Sequence, residues 1–68
     1  MINKKALQAQ MVLFGDTQEA LATGIGITRV SLSKKINGSR EFLLNEVDAI
    51  RKRYNLSLEA VASIFFTE

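Results

Sequence analysis

Four positively charged side chains lie within one short stretch of the chain, with no acidic residue among them. Residues 28–40 contain Arg29, Lys34, Lys35 and Arg40. Because the whole chain has a net charge of +2, this segment at +4 leaves the remaining residues with a sum of −2. A basic block on an otherwise nearly neutral chain is typical of a surface that binds a polyanion. A solvated helix face would carry the same charges, so the charge pattern alone leaves both interpretations open.

Other kinds of chemistry find little support in the composition. The chain has no cysteine and no histidine, which excludes disulfide bonds, thiol nucleophiles, haem ligation and the usual zinc sites. Its seven carboxylates are not spaced as a calcium loop or as a paired acid and base. A domain of this size buries only about 60% of its unfolded surface, so a deep catalytic cleft is difficult to build. We therefore expect no catalytic residue, metal, cofactor or small-molecule ligand.

The spacing of the apolar residues predicts a single all-α domain over residues 1–68, built from five short helices. The absence of proline and the presence of only four glycines favour helices over a turn-rich fold. Leu7, Met11 and Phe14 mark a helical stripe. The predicted helices cover residues 3–14, 18–24, 29–37 and 44–54, and a fifth follows Ser57. Polar residues are expected to cap helices 2, 3 and 5, and glycines to end the first three: Thr17, Thr28, Ser57, Gly15, Gly26 and Gly38.

Two short helices joined by a tight glycine-containing turn, the second of them basic, describe a helix-turn-helix. The segments TQEALA at 17–22, GITR at 26–29 and LSKKING at 32–38 resemble the helix-turn-helix of phage Cro and lambda-type repressors, in particular short repressor-like proteins of Gram-positive prophages. The resemblance continues to the C-terminal IFF at 64–66 and is weakest over residues 1–14. It implies a compact five-helix, lambda-repressor-like DNA-binding domain with its helix-turn-helix at about residues 17–38.

Three departures from the family pattern lie outside the basic helix. Ala20 stands where glutamate is common, which removes a reciprocal capping box with Thr17. Gly24 stands where the family usually has a polar residue, so we expect helix 2 to end early or fray. Val12 and Leu13 are apolar where polar residues are common, which leaves helix 1 apolar nearly all round.

The helical wheel, at about 100° per residue, gives directions to the side chains of the third helix. Leu32 and Ile36 define its buried side, and Lys34 points nearly opposite to them. Arg29 lies closer to the buried direction, but in the first turn a long side chain escapes past the helix end. Because the N-terminal part of a recognition helix meets base edges, Arg29, Val30 and Lys34 are predicted to read bases. The two cations suit guanine and Val30 suits a thymine methyl group, although Val30 also fits a stray surface position.

Contacts to the DNA backbone are predicted around the rim of this surface. By resemblance, the family places the glutamine at position 18 on a phosphate, and the N-terminus of helix 2 is a natural phosphate site. The residues predicted to contact the backbone, or backbone and base together, are Thr17, Gln18, Thr28, Ser31, Lys35, Asn37, Ser39 and Arg40. Lys35 lies near the flank of its helix, so a backbone contact and a solvated position fit it equally. The other cations are expected to solvate helices 1 and 4: Lys4, Lys5, Arg51, Lys52 and Arg53.

These patterns favour a cytoplasmic, sequence-specific regulator of transcription, in a bacterial or phage-infected cell, that occupies double-stranded operator DNA. No stretch approaches the roughly 20 apolar residues of a membrane span, and no signal peptide is recognised, so no membrane partner is expected. A protein-binding module on the same fold, such as an antirepressor or an antitoxin-like partner, is the alternative. An enzyme is a remote third.

A homodimer on an inverted repeat is expected, because one recognition helix covers only a few base pairs. The first candidate for the dimer interface is the C-terminal edge with Ile64 and Phe66, since Phe66 cannot share the inward direction of Phe65. The second is the flank of helix 1 with Val12 and Leu13. Both sets of side chains would also serve simply to cap a small core.

Overall fold

The computed structural model describes residues 2–66, and all regular structure within that range is helical. The helices are α1 (Lys4–Leu13), α2 (Gln18–Ile25), α3 (Arg29–Ile36), α4 (Leu44–Arg53) and α5 (Leu58–Phe65). The predicted all-α, five-helix fold is therefore confirmed. None of these helices is long and apolar enough to cross a bilayer.

Local capping interactions explain where the helices begin. Four helices follow a polar residue whose side chain accepts a hydrogen bond, at 3.1 Å, from the amide three residues ahead: Asn3, Thr17, Thr28 and Ser57. Replacing such a cap by alanine costs about 1 kcal/mol. Helix α4 begins differently, since the residue before it is the apolar Leu43. There the carboxylate of Glu46 accepts the amide of Leu43 at 2.8 Å.

The expected early end of α2 at Gly24 is wrong, because the helix continues to Ile25. Gly26, with a φ of +82°, is the residue that ends it. Gly24 has a different role, since a β-carbon at this position would collide with the guanidinium group of Arg53. The missing side chain therefore makes room for Arg53 to reach across from α4.

The core collects buried apolar side chains from all five helices. Helix α1 packs along α5, while α2 packs against both α3 and α4. The amide of Asn3 donates to the carbonyl of Ile64 at 2.6 Å, which joins the start of α1 to the end of α5. The buried apolar residues include Leu7, Met11, Leu21, Ala22, Leu32, Ile36, Val47, Ile50, Tyr54, Val61, Ile64 and Phe65. Leu32 and Ile36 belong to α3, so their burial determines which side of α3 faces outward.

Asp16, in the connection between α1 and α2, is bound by the end of α4. The Nε and Nη2 atoms of Arg53 donate to its carboxylate at 2.7 and 2.8 Å, and the Tyr54 hydroxyl donates at 2.6 Å. Arg53 is thus a structural residue and does not merely solvate α4. The Arg53 hydrogen bonds, helped by the Tyr54 hydrogen bond, lower the pKa of Asp16 from 3.8 to about 2.

The contacts of Asp16 with Arg53 and Tyr54 predict that part of the free energy of unfolding is lost at low pH. The substitution Asp16→Asn should remove this part of the pH dependence. A carboxyl with a lowered pKa stabilises the fold above its unfolded pKa, near 4, and loses that contribution as the pH falls towards 2. The shift corresponds to about 2 kcal/mol. We expect Asp16→Asn to lower the free energy of unfolding by about that amount at pH 7, with the difference from wild type shrinking towards zero near pH 2. Urea unfolding at several pH values measures it.

The matched control for this prediction is Asp48→Asn. Asp48 forms exposed ion pairs with Arg51 and Lys52 on its own helix, at 3.0 and 3.1 Å. Exposed pairs of this kind contribute little to stability. If Asp16→Asn lowers the free energy of unfolding at pH 7 by no more than Asp48→Asn does, the assigned role of Asp16 is contradicted.

Candidate nucleic-acid interface

Helices α2 and α3 form a helix-turn-helix through a short glycine-containing turn. Gly26 takes the left-handed conformation, which costs glycine little because it lacks a β-carbon. The amide of Ile27 donates back to α2 at 3.0 Å, and its half-buried side chain packs against the core. Thr28 then caps α3 by accepting the amide of Ser31 at 3.1 Å. The position predicted for the helix-turn-helix, at the second and third helices, is confirmed.

Helix α3 has one face in the core and one face open to solvent. Leu32 and Ile36 are 0% and 1% exposed, whereas Val30 is 65% exposed. Lys34 is exposed on the same side as Val30. Arg29 is exposed as well, although its wheel direction lies near the core, because it occupies the first turn. The three residues predicted to read bases are therefore all accessible.

Four residues on the solvent-facing side of α3 line an open concavity with a volume of about 290 Å³. Its walls are Arg29, Val30, Ser33 and Lys34. Arg29 with Ser33, and Val30 with Lys34, are each four residues apart, a spacing that makes them neighbours on a helix surface. Ser33 is not among the contacts predicted from the sequence, although this spacing from Arg29 is a signal for it. The structure thus brings the three predicted residues together and adds a hydroxyl group beside them.

The predicted rim residues at the starts of α2 and α3 combine capping with exposure. Thr17 and Thr28 are exposed, and each hydroxyl oxygen accepts a backbone amide at 3.1 Å. Because a hydroxyl group keeps its proton while accepting, each can still donate to a phosphate. Gln18 is half-buried at the first position of α2, where the backbone amides have no partner within the helix and the helix dipole is positive. Ser31 is half-buried.

The rim beyond the C-terminus of α3 contains Asn37, Ser39 and Arg40, all of them exposed. The amides of Ser39 and Arg40 donate to the carbonyl of Lys34, at 2.9 and 3.3 Å, which turns the chain back against α3. Lys4, expected only to solvate α1, instead donates from Nζ to the Oδ1 atom of Asn37 at 2.9 Å. The side-chain amide of Asn37 keeps its NH₂ group as a donor. Nothing in the local sequence signals this contact with Lys4.

Lys35 departs from the predicted rim. It is only 7% exposed, and its ammonium group forms an ion pair with both carboxylate oxygens of Glu46 in α4. Its charge is neutralised inside the protein, so Lys35 is not available for the backbone contact that its flanking position allowed. Lys35 is therefore not one of the proposed DNA contacts.

Of the residues predicted to form a dimer interface, one is buried and three are exposed. Ile64 is only 3% exposed, so its place in the first-choice interface is wrong: its side chain belongs to the core. Phe66 is 64% exposed, whereas its neighbour Phe65 is buried. Val12 and Leu13, on the flank of α1, are both largely exposed.

Five helices around one core, with an exposed basic helix after a glycine turn, define a lambda-repressor-like helix-turn-helix domain. A helix-turn-helix family model matches residues 7–61. The chain therefore belongs to the helix-turn-helix family of Cro and lambda-type repressors, a family of DNA-binding transcription regulators. No curated protein and no solved structure matches the chain.

Proposed function

We propose that this protein is a sequence-specific regulator of transcription, of the Cro or repressor type, that occupies operator DNA with α3 in the major groove. The observation that carries the proposal is the open face of α3, from which Arg29, Val30 and Lys34 project together. No acidic residue lies on α3. The major groove of B-DNA admits an α-helix, and each base pair presents a distinct pattern of donors and acceptors there.

Each of the three residues has a separate role in base recognition. The guanidinium group of Arg29 donates two hydrogen bonds to the O6 and N7 atoms of one guanine. Lys34, about 1.4 turns further along α3, reaches the same acceptor atoms on a second guanine. Val30 contacts a thymine methyl group. Ser33, on the same wall, donates to either a base or a sugar-phosphate oxygen.

Phosphate contacts hold α3 in register from both sides of the groove. Gln18 and the first amides of α2 bind the phosphate on one side, with donors from Thr17, Thr28 and Ser31 beside them. On the other side, the donors of Asn37, Ser39 and Arg40 bind the neighbouring phosphates. Such contacts position the protein without carrying sequence information directly.

Two copies of the chain bind an inverted repeat, each with its α3 in one half-site. The half-sites lie about 34 Å apart, one turn of DNA. Phe66 is the central dimer contact. The edge-to-face packing of Phe42 on Phe65, with ring centres 5.3 Å apart, brings the segment before α4 to the end of α5. Leu43, the next residue after Phe42, is exposed as well.

Selection from a pool of random double-stranded DNA tests the proposed function. The purified protein is expected to enrich one sequence with two-fold symmetry. If no sequence is enriched and the affinity for DNA does not depend on salt, the proposal is wrong. That outcome would favour the protein-binding module, for which the exposed Val12 and Leu13 on α1 supply an apolar surface.

Substitution of two arginines separates base reading from phosphate binding. Arg29→Ala is expected to weaken binding to the selected site by about 1–3 kcal/mol and to relax specificity at one base position, because a bidentate contact is lost. Arg40→Ala should weaken binding to the selected site and to scrambled DNA by the same factor, because it removes only a phosphate contact. Titration of both variants on both DNAs measures the effects. Equal losses on the two DNAs for Arg29→Ala would refute its role as a base reader.

A further inference from the structure

The one buried ion pair in the described part of the chain joins α3 to the start of α4. Lys35 is 7% exposed and Glu46 is 4% exposed, and the ammonium group contacts both carboxylate oxygens. Glu46 also accepts the amide of Leu43, so its carboxylate holds the first turn of α4 as well. The other three ion pairs of residues 2–66 involve at least one partly exposed side chain.

The two charged residues bracket the loop that carries the C-terminal phosphate rim. Residues 37–43 connect α3 to α4, and they include Ser39 and Arg40. Lys35 lies just before this loop and Glu46 just after it, eleven residues apart. Within the loop, the amides of Ser39 and Arg40 bond back to the carbonyl of Lys34, the residue next to Lys35. The ion pair therefore closes the loop at its base.

A contribution to the stability of the fold does not by itself explain a buried Lys–Glu pair. Removing two charges from water is costly, and well-packed apolar residues of similar volume are often at least as stabilising. What a buried ion pair adds is specificity of arrangement, because any shift that separates the ammonium group from the carboxylate leaves two charges buried without partners. An apolar pair would permit sliding between α3 and α4, and every such shift would move Arg40 relative to the bases that α3 reads.

We infer that Lys35 and Glu46 are positioning residues that hold residues 37–43 at a fixed distance and angle from α3. This inference rests on the proposed function, in which Ser39 and Arg40 bind phosphate while Arg29 and Lys34 read bases. The pair touches no DNA. It couples phosphate contacts to base contacts, so that both sets are made together only when α3 lies in its correct register.

The test uses the double variant Lys35→Met, Glu46→Gln in the full chain. Single variants would leave a buried charge without a partner, whereas the double variant removes both charges. It keeps at position 46 an amide oxygen that accepts from the Leu43 amide. The matched control is Lys52→Met, Asp48→Asn, which removes an exposed pair of the same chemistry on α4. Thermal unfolding and helicity establish that both proteins are folded.

The first measurement is amide hydrogen exchange in the free protein. The amides of Ser39 and Arg40 should exchange at least about 10-fold faster in the Lys35/Glu46 variant, as expected for local opening. The core amides of α2 and α4, and all amides of the control, should keep their wild-type rates after correction for global stability. Unchanged exchange at Ser39 and Arg40 would overturn the inference, because the loop would then be held without the pair.

The second measurement is affinity for the selected DNA and for random DNA at several salt concentrations. The Lys35/Glu46 variant should lose about 10-fold or more in the ratio of specific to random binding, because Arg40 still binds phosphate but no longer holds α3 in one register. Arg40→Ala removes the phosphate contact itself, so it should lower both affinities and keep their ratio. A wild-type ratio in a folded variant would overturn the positioning role. If the wild type itself shows no salt-dependent DNA binding, the proposed function fails, and the DNA-related part of the inference fails with it.

Discussion

Raising the salt concentration from about 50 to about 200 mM should lower the affinity of this protein for its operator by about 10³- to 10⁴-fold. Binding of Lys or Arg to phosphates releases counterions from DNA, so the logarithm of the affinity falls linearly with the logarithm of the salt concentration. If each protomer neutralises three or four phosphates, a dimer has a slope of about −5 to −7. Fluorescence anisotropy titrations of labelled operator DNA at five or six salt concentrations give the slope.

We propose that four exposed cations displace counterions from the DNA and so produce this slope. Arg40 does so at a phosphate, and Arg29 and Lys34 do so from the major groove between the phosphate strands. Lys4 lies at the same rim through its hydrogen bond with Asn37. Lys35 does not contribute because its charge is paired with Glu46.

Two variants provide the comparison for the salt dependence. Arg40→Ala should make the slope of the dimer shallower by about 2, one for each protomer. Lys52→Ala should leave it unchanged, because Lys52 pairs with Asp48 on α4 and lies outside the proposed interface. A wild-type slope near zero would contradict the electrostatic basis of the proposed function.

Phe66→Lys should abolish the dimer and weaken binding to the full operator by about 30-fold or more, the effect of losing an aromatic contact worth about 2 kcal/mol at an interface centre. Binding to an isolated half-site should hardly change. The side chain of Phe66 is 64% exposed, so the substitution should leave the core and the helicity intact. Sedimentation velocity with operator DNA measures the stoichiometry, and titration of full sites and half-sites measures the affinities.

Leu13→Lys is the matched control for this prediction. Leu13 is 74% exposed and belongs to the second candidate surface, on the flank of α1. If Leu13→Lys abolishes the dimer and Phe66→Lys does not, the interface lies on α1. If the wild type binds a half-site as tightly as the full site, the dimer itself is wrong.

The boundaries of the helices could be predicted from the sequence because short-range interactions set them. Thr17, Thr28 and Ser57 cap helices through amides only three residues away. Gly26 ends α2 through its own backbone conformation. The turn between α2 and α3, and with it the position of the recognition helix, follows from such local signals.

The accessible face of α3 was also predictable, because apolar spacing shows which side of a helix enters a core. Leu32 and Ile36 are buried, and Val30 and Lys34 point away from them. The helical wheel alone does not distinguish the two flanks of this buried side. Ser33 and Lys35 lie about 80° on either side of the midpoint between the two buried residues, so the wheel treats them alike.

Only the tertiary structure shows which of these two residues packs against another helix and which stays on the open face. The start of α4 lies against Lys35 and supplies Glu46, while Ser33 remains beside Arg29 in the open concavity. Asp16 and Arg53, 37 residues apart, meet for a similar reason. Residue types and periodicity determine which helices form and which side of each is apolar, because those properties depend on neighbours within one or two turns. Which charged side chain faces another helix depends on how the helices pack. This long-range packing pairs Lys35 with Glu46 of α4 and leaves Lys34 exposed to solvent.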